Sequence, residues 1–491
     1  MASITLNLNR SKGTISRYIY GHFAEHIGRC VYQGVYVGEN SPIPNVRGMR
    51  TDVVEALRAI HVPVLRWPGG CFADDYHWED GVGPREKRRK NVNSLWGGVL
   101  EDNSFGTHEF LELCRQIGCE PYITGNLGSG TVREMADWVE YLNGDGASDV
   151  VKRRRENGRK EPWGVRFWGV GNESWGCGGQ LLADEYAREY RRYQNFLRDW
   201  GDNKLYRIAC GPADDNEQWT EALMRLAGKV MDGLSMHYYT FCGEWQHKGS
   251  ATQFTQLDYY RTVYRAGQMD RIIAGHDRIM DRYDPEKRVG LVVDEWGTWF
   301  DVEPDTNPAF LYQQNTMRDA LVAATTLNIF NRHCDRVFMA NLAQVVNVLQ
   351  SVILTEGDKM VLTPTYHVFD LFKAHQDARE LDCYVEADNV GMDQWIMPQL
   401  SASASEKKGV ITITAANLSS SEALPLTIQM LPGRIARASG RMLSGHYKQY
   451  NDFDRTELTV KPLQGVRVRE DGAAECELPP CSVAELRVET A

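Results

Sequence analysis

From residue 16 to about residue 375 the chain repeats one pattern: a short β-branched or aromatic run, then a longer segment with apolar residues at helical spacing. The runs are Ile19–His26, Val62–Gly70, Pro121–Asn126, Val165–Glu173, Arg207–Gly211, Gly233–Tyr239, Val289–Gly297 and Val337–Gln344. Between them Tyr186, Tyr190, Tyr193 and Leu197 fall at i, i+4, i+7 and i+11, a stripe for the buried face of a helix. Asp52–His61, Phe110–Gly118, Val132–Asn143 and Phe310–Arg332 read the same way. Eight β runs, each followed by a helical segment, predict an α/β fold, a (β/α)8 TIM barrel over residues 16–375. Such a barrel gathers its functional groups at the carboxyl ends of its strands.

After residue 376 the period changes to two, in Val410–Leu418, Leu424–Leu431, Thr456–Leu463 and Ser482–Val488, with turn residues between. This predicts a C-terminal antiparallel β-sandwich over residues 376–491. Ser3–Asn9 alternates likewise, so residues 1–15 are expected to supply a strand that returns to that sandwich. No low-complexity linker separates the two regimes, so they are expected to pack together.

Composition narrows the partners. Of 491 residues, 55 are Lys or Arg and 66 Asp or Glu, a net charge of −11, which argues against a nucleic-acid backbone. The basic runs Arg85–Lys90 and Lys152–Arg155 read as solvated faces. Mean hydropathy is −0.45, and no apolar run approaches the ~18–20 residues that span a bilayer, so no membrane is expected as partner. The start, MASITLNLNRSKG, lacks the apolar segment of ~7–15 residues that a secretory signal needs, and a cytoplasmic location is expected. Eleven cysteines, irregularly spaced and without a Cys-x-x-Cys pair, predict reduced thiols rather than a disulfide framework. Cys114/Cys119 and Cys476/Cys481 share a spacing, but no second pair nearby completes a zinc site.

The strongest chemical signal is a pair of glutamates, Glu173 in WGVGNESWG and Glu295 in VVDEWGTWF, each at the carboxyl end of a β run. An isolated loop glutamate is ordinarily a solvated surface group. If these runs are the fourth and seventh barrel strands, however, both side chains enter one crater. Two facing carboxylates are the equipment of glycoside hydrolysis, one protonating the leaving oxygen while the other attacks the anomeric carbon or activates water. The acid must hold its proton at neutral pH, and Trp168 and Trp175 beside Glu173, with the negative charge of Glu295, are expected to favour the neutral form. Many of the 13 tryptophans sit near strand ends, as a sugar-stacking site requires; Trp96 and Trp299, in loop settings, are the expected platforms.

Rival chemistries are weaker. His22, Glu25 and His26 match H-x-x-E-H, but a zinc site there needs a helix, and the segment reads as a strand that would deliver Glu25 to the crater floor. No Gly-rich phosphate cradle is present and no cofactor or metal is expected; Gly128-Ser129-Gly130 is only a fragment of a serine-hydrolase elbow. Cys71 as a nucleophile is disfavoured because the carboxylates need no thiol.

GHFAEHIGRCVYQGVYVG, LRWPGGCFADDYHWEDGVGP, WGVGNESWGCGG, VVDEWGTW, ANLAQVVNVLQSVI and LPPCSVAELRV, in this order, resemble glycoside hydrolase family 51, the α-L-arabinofuranosidases, over essentially the whole chain. The resemblance implies Glu173 as general acid/base and Glu295 as nucleophile, with a covalent arabinosyl-enzyme and retained configuration. It implies that Asn172, Glu25 and Gln344 hold furanose hydroxyls and that Arg66 supports the site from beneath. A tyrosine of MHYY would steer the nucleophile: Tyr239, which shares a strand face with His237, is preferred, with Tyr238 the alternative. Many relatives carry Asn where this chain has Cys71, so a weaker substrate contact is expected there. The resemblance further implies terminal arabinofuranosyl groups of hemicellulose oligosaccharides as substrate and a homo-oligomer, commonly a hexamer. The rival readings are a retaining β-xylosidase or endo-glucanase with the same carboxylates, a non-catalytic carbohydrate-binding protein, and a zinc hydrolase.

Overall fold

The protein is described from a computed structural model covering residues 2–490. Eight strands, β1 (Gly21–Phe23), β2 (Val64–Trp67), β3 (Glu120–Gly125), β4 (Phe167–Val170), β5 (Tyr206–Ala209), β6 (Gly233–Thr240), β7 (Gly290–Thr298) and β8 (Val337–Ala343), form a closed barrel in chain order. All pairings are parallel, and β8 closes on β1 with Asn341 opposite Gly21 and Ala343 opposite Phe23. Each strand coincides with one of the eight predicted runs, extending past it by at most one residue. Parallel strands are covered on both faces, so they read as continuous apolar stretches; all nine residues of β7 are buried.

The barrel is a packed core rather than a pore. Val64, Tyr122, Phe167, Ile208, Val292 and Met339 fill one interior layer, with Tyr18 packed edge-on against Phe167. Several helices start where a side chain caps them: Thr131 accepts from the Glu134 amide, and Thr255 and Asp258 form a reciprocal capping box.

Two predicted helix boundaries shift. The tyrosine-striped helix spans Ala183–Gln194, so Leu197 lies beyond its end, though still buried. The segment read as Phe310–Arg332 begins only at Met317, because Leu311 has φ +50° and Thr316 with Asp319 forms the cap. This helix is buried along nearly its whole length, since it lies between barrel and sandwich and has no face left for water.

The C-terminal strands Arg379–Glu386, Leu400–Lys407, Val410–Asn417, Leu424–Leu431, Ile435–Ser444, Ala474–Leu478 and Ser482–Thr490 pair antiparallel around a second apolar core. The Ala2–Asn7 strand lies between Arg379–Glu386, antiparallel, and Leu424–Leu431, parallel. The stretch read as Thr456–Leu463 contributes only Lys461–Pro462, since Asn451 instead takes both the amide and the carbonyl of Leu458. A polar seam joins the two layers: Ser403 and Thr414 donate to Asn328 at 2.7 and 2.8 Å, and Arg332 donates to the Ala402 carbonyl at 2.9 Å. Among the described residues no helix is long and apolar enough to cross a membrane.

Candidate active site

The carboxyl ends of the barrel strands enclose a cavity of about 400 Å³. Its walls carry Glu25, Cys71, Trp96, Glu173, His237, Tyr239, Glu295, Trp299 and Gln344, and Arg66 and Asn172 lie just beneath, hydrogen-bonded to each other at 2.6 Å. The structure thus brings together the two glutamates and the nine residues expected around them.

Glu295 projects from β7 opposite His237 of β6. Arg66 Nη1 donates to its Oε1 at 2.9 Å and the Tyr239 hydroxyl to its Oε2 at 2.8 Å. Tyr238 turns the other way and donates to the Arg265 carbonyl, which selects Tyr239 from the two candidates. Gly70 lies against the same carboxylate: a Cβ there would stand 2.6 Å from Glu295 Oε1, so only glycine permits the approach.

Neighbours on a regular strand face opposite ways, yet Asp294 and Glu295 both reach the interior charges. The register slips between Ser235 and His237 on β6 and between Val293 and Trp296 toward β8, and this irregularity re-aims the pair. Asp294 accepts from Tyr122 at 2.7 Å and lies 3.2 Å from His237 Nε2. Burial would raise its pKa, but Arg66 and His237 hold its carboxyl well below the usual range. Burial acts on His237 in the opposite sense, yet the charge of Glu295 and the hydrogen bonds to Asp294 and Glu173 lift its pKa to about 10. His237 is therefore an imidazolium at neutral pH, donating from both ring nitrogens.

Glu173 follows β4 in a turn where Gly171 has φ +81° and Glu173 itself φ +39°. Its Oε1 accepts from His237 Nδ1 at 2.9 Å, and the same nitrogen is 3.7 Å from Glu295 Oε2. One oxygen of each glutamate lies within 4.8 Å of the other. Glu25 closes the floor: its carboxylate accepts from the Gly70 and Phe72 amides, Trp96 Nε1 and Gln344 Nε2 at 2.8–3.2 Å. Burial, assisted by the charge of Glu295, pushes its pKa up to about 7.

Two expectations are corrected. Cys71 is not a thiol: it is bonded to Cys177, 106 residues away, and the remaining nine cysteines are free. It lines the cavity as half of a disulfide, with the two sulfurs 3.8 and 3.6 Å from Glu173 Oε2. Trp168 does not shield Glu173; it is fully buried against Trp138 on the helix side of the sheet, and Trp175 alone of that pair lines the cavity. As expected of a strand rather than a zinc-binding helix, His22 and His26 do not converge: His22 packs at a tilt on Phe369, whereas His26 bonds Glu101 and Trp67.

Among the described residues, two groups of side chains are close enough to consider a cation. They are Cys71, Glu173 and Cys177, in which the sulfurs are bonded to each other and are not thiolates, and Glu173, His237 and Glu295. Sequence reading missed Asp294, Asp74 and Cys177, although all three stand inside the quoted motifs. It also left Phe241 and Leu311 of the cavity rim unremarked. Beside them Trp245 is 56% exposed, with the Lys248 ammonium 4.3 Å from its ring centre and 4.7 Å from that of Trp299.

Two family models match the chain: the alpha-L-arabinofuranosidase 1 domain over residues 56–261 and the alpha-L-arabinofuranosidase C-terminal domain over 294–482. An intracellular exo-alpha-L-arabinofuranosidase of Bacteroides ovatus is 49% identical, covering 99% of this chain and 96% of its own. The crystal structure of a GH51 arabinofuranosidase from Xanthomonas axonopodis pv. citri superposes with a TM-score of 0.98 at 46% identity, over 99% of both chains. An arabinose complex of the Thermotoga maritima alpha-L-arabinofuranosidase superposes at 0.88 with 33% identity, over 100% of both. With both halves matched in order and the likeness running from end to end, the chain belongs to the α-L-arabinofuranosidases of glycoside hydrolase family 51.

Proposed function

We propose that the protein is a retaining, exo-acting α-L-arabinofuranosidase that removes terminal, non-reducing arabinofuranosyl groups from oligosaccharides of the arabinoxylan and arabinan type. The observation that carries this reading is the approach of Glu173 and Glu295 to within 4.8 Å, with His237 hydrogen-bonded to the first and facing the second. Retaining glycosidases hold their carboxyl groups about 5–5.5 Å apart, too close to admit the extra water of an inverting mechanism.

Glu295 attacks the anomeric carbon while Glu173 gives its proton to the glycosidic oxygen, whose bond to that carbon breaks. Glu173, now a base, takes a proton from water, which attacks the same carbon and releases Glu295. Arg66 and Tyr239 fix the attacking carboxylate, each through one hydrogen bond. Asn172, Glu25 and Gln344 present polar groups for ring hydroxyls, and Trp96 and Trp299 present indole faces. A cavity of about 400 Å³, at the small end for ligand sites, with Glu25 and Gln344 closing its floor, suits one terminal sugar rather than a passing chain. A cytoplasmic location is proposed, on the name of the Bacteroides relative.

Rates on aryl α-L-arabinofuranoside, β-xyloside and β-glucoside, compared side by side, test the substrate. The arabinofuranoside is expected to dominate; a dominant xyloside or glucoside rate overturns the proposal.

A further inference from the structure

The turn that carries Glu173 belongs to no helix or strand, and Glu173 sits at φ +39°, a conformation that an L-residue keeps only when its surroundings impose it. Its two ends are tied to the same short segment, Cys71–Asp75, which follows β2. At the near end, Asp74 Oδ2 accepts the Asn172 amide at 2.8 Å. At the far end, Cys177 is bonded to Cys71, and Gly178 packs so closely on Asp74 that a Cβ there would lie 2.6 Å from Oδ2.

Asp74 is built in rather than incidental. It is buried, and its Oδ1 accepts the Leu127 and Gly128 amides, both at 2.8 Å, which joins the loops after β2, β3 and β4. Burial pushes its pKa to about 7 against those three amides, which favour the carboxylate. Asp74 does not line the cavity and has no part in the reaction described above.

We propose that Asp74 and the Cys71–Cys177 bond form a two-point clamp that positions Glu173 for proton transfer, and that reduction of the bond loosens the clamp and slows the acid-catalysed step. Both are positioning groups, and the inference rests on Glu173 being the acid/base. Attack by Glu295 is held by other strands and is spared. The reductant is a phosphine: phosphorus supplies two electrons that break the S–S bond, and water supplies the phosphine-oxide oxygen and the protons of the two thiols.

The test uses the full-length enzyme and two arabinofuranosides. One has a 4-methylphenyl leaving group, which needs protonation; the other has a 2,4-dinitrophenyl group, which does not. Glu173→Ala is the reference and is expected to lose kcat/KM on the first while largely sparing kcat/KM on the second, whose glycosylation step needs no acid. Phosphine treatment, with opening of Cys71–Cys177 verified by thiol labelling and mass measurement, is expected to lower kcat/KM about tenfold on the first substrate and less than about twofold on the second. Asp74→Asn is expected to show the same split, about 10²-fold on the first. A purely structural loss would lower both rates together.

If Glu173→Ala shows the split but the reduced enzyme or Asp74→Asn does not, the two-point clamp is wrong while the acid/base assignment stands. If Glu173→Ala itself shows no split, the assignment falls and the clamp with it. Because reduction acts on enzyme that is already folded, a misfolded Asp74→Asn leaves the decision to the reduced protein.

Discussion

Glu295 and Glu173 face each other across less than 4.8 Å but are held by opposite means. Glu295 stands on β7, a strand buried throughout, between an arginine and a tyrosine that each spend a hydrogen bond on it. Glu173 stands on an irregular turn, with 20% of its side chain exposed against 8% for Glu295, and accepts a hydrogen bond from His237. The difference matches the roles proposed for them, Glu295 as nucleophile and Glu173 as acid/base. A nucleophile attacks one carbon from one side and gains from a fixed place in the sheet. An acid/base must exchange a proton with a leaving group, then with water, and so needs an opening to the cavity mouth.

That contrast can be broken by mutation, and the largest effect belongs to the strand side. Glu295→Ala is expected to lower kcat about 10⁴-fold or more on every substrate, because no leaving group compensates for a missing nucleophile. Glu173→Ala should lose about 10²–10⁴-fold on substrates with poor leaving groups. Added azide should restore turnover in both variants with opposite anomers of the glycosyl azide, whereas the same anomer from both would erase the distinction. Tyr239→Phe removes one charge-assisted hydrogen bond from Glu295, worth about 1.5–3 kcal/mol, and kcat should fall about 10- to 10²-fold. An unchanged kcat would mean that Arg66 alone fixes the nucleophile.

The smallest effect concerns the group between the two. The pKa of His237 is raised in the folded protein from 6.5 to about 10, so its contribution to stability is complete below about pH 6.5 and is lost as pH rises through about 10. Thermal unfolding of the wild type should therefore weaken relative to His237→Asn across that window. Parallel curves would show that the imidazolium is not stabilised by its three carboxylate neighbours.

The barrel was legible because parallel strands are covered on both sides: Val289–Val293 is apolar without interruption, and Glu295, like Glu173 after Phe167–Val170, follows such a stretch at its carboxyl end. Parts of the sandwich were less so. Ile435–Ser444, IARASGRMLS, is a half-exposed strand of small and basic residues whose pairing, not its pattern, makes it a strand. Within the site, Asp294 was invisible for a definite reason: strand alternation turns it away from Glu295, and only the slip in register brings both inward. The disulfide was hidden because nothing local marks two cysteines 106 residues apart, and their meeting depends on how the loops after β2 and β4 fold over the barrel. Trp168 misled for the opposite reason, since closeness to Glu173 in sequence put it on the other face of β4.

The central claim is that Glu295 and Glu173 work as a double-displacement pair, and the configuration of the first-formed sugar tests it directly. Proton NMR of the early reaction on an aryl α-L-arabinofuranoside, recorded before mutarotation, should show α-arabinofuranose appearing first and the β-anomer growing in later. β-Arabinofuranose as the first product would mean a single displacement by water, and would contradict the assignment of Glu295 as a nucleophile.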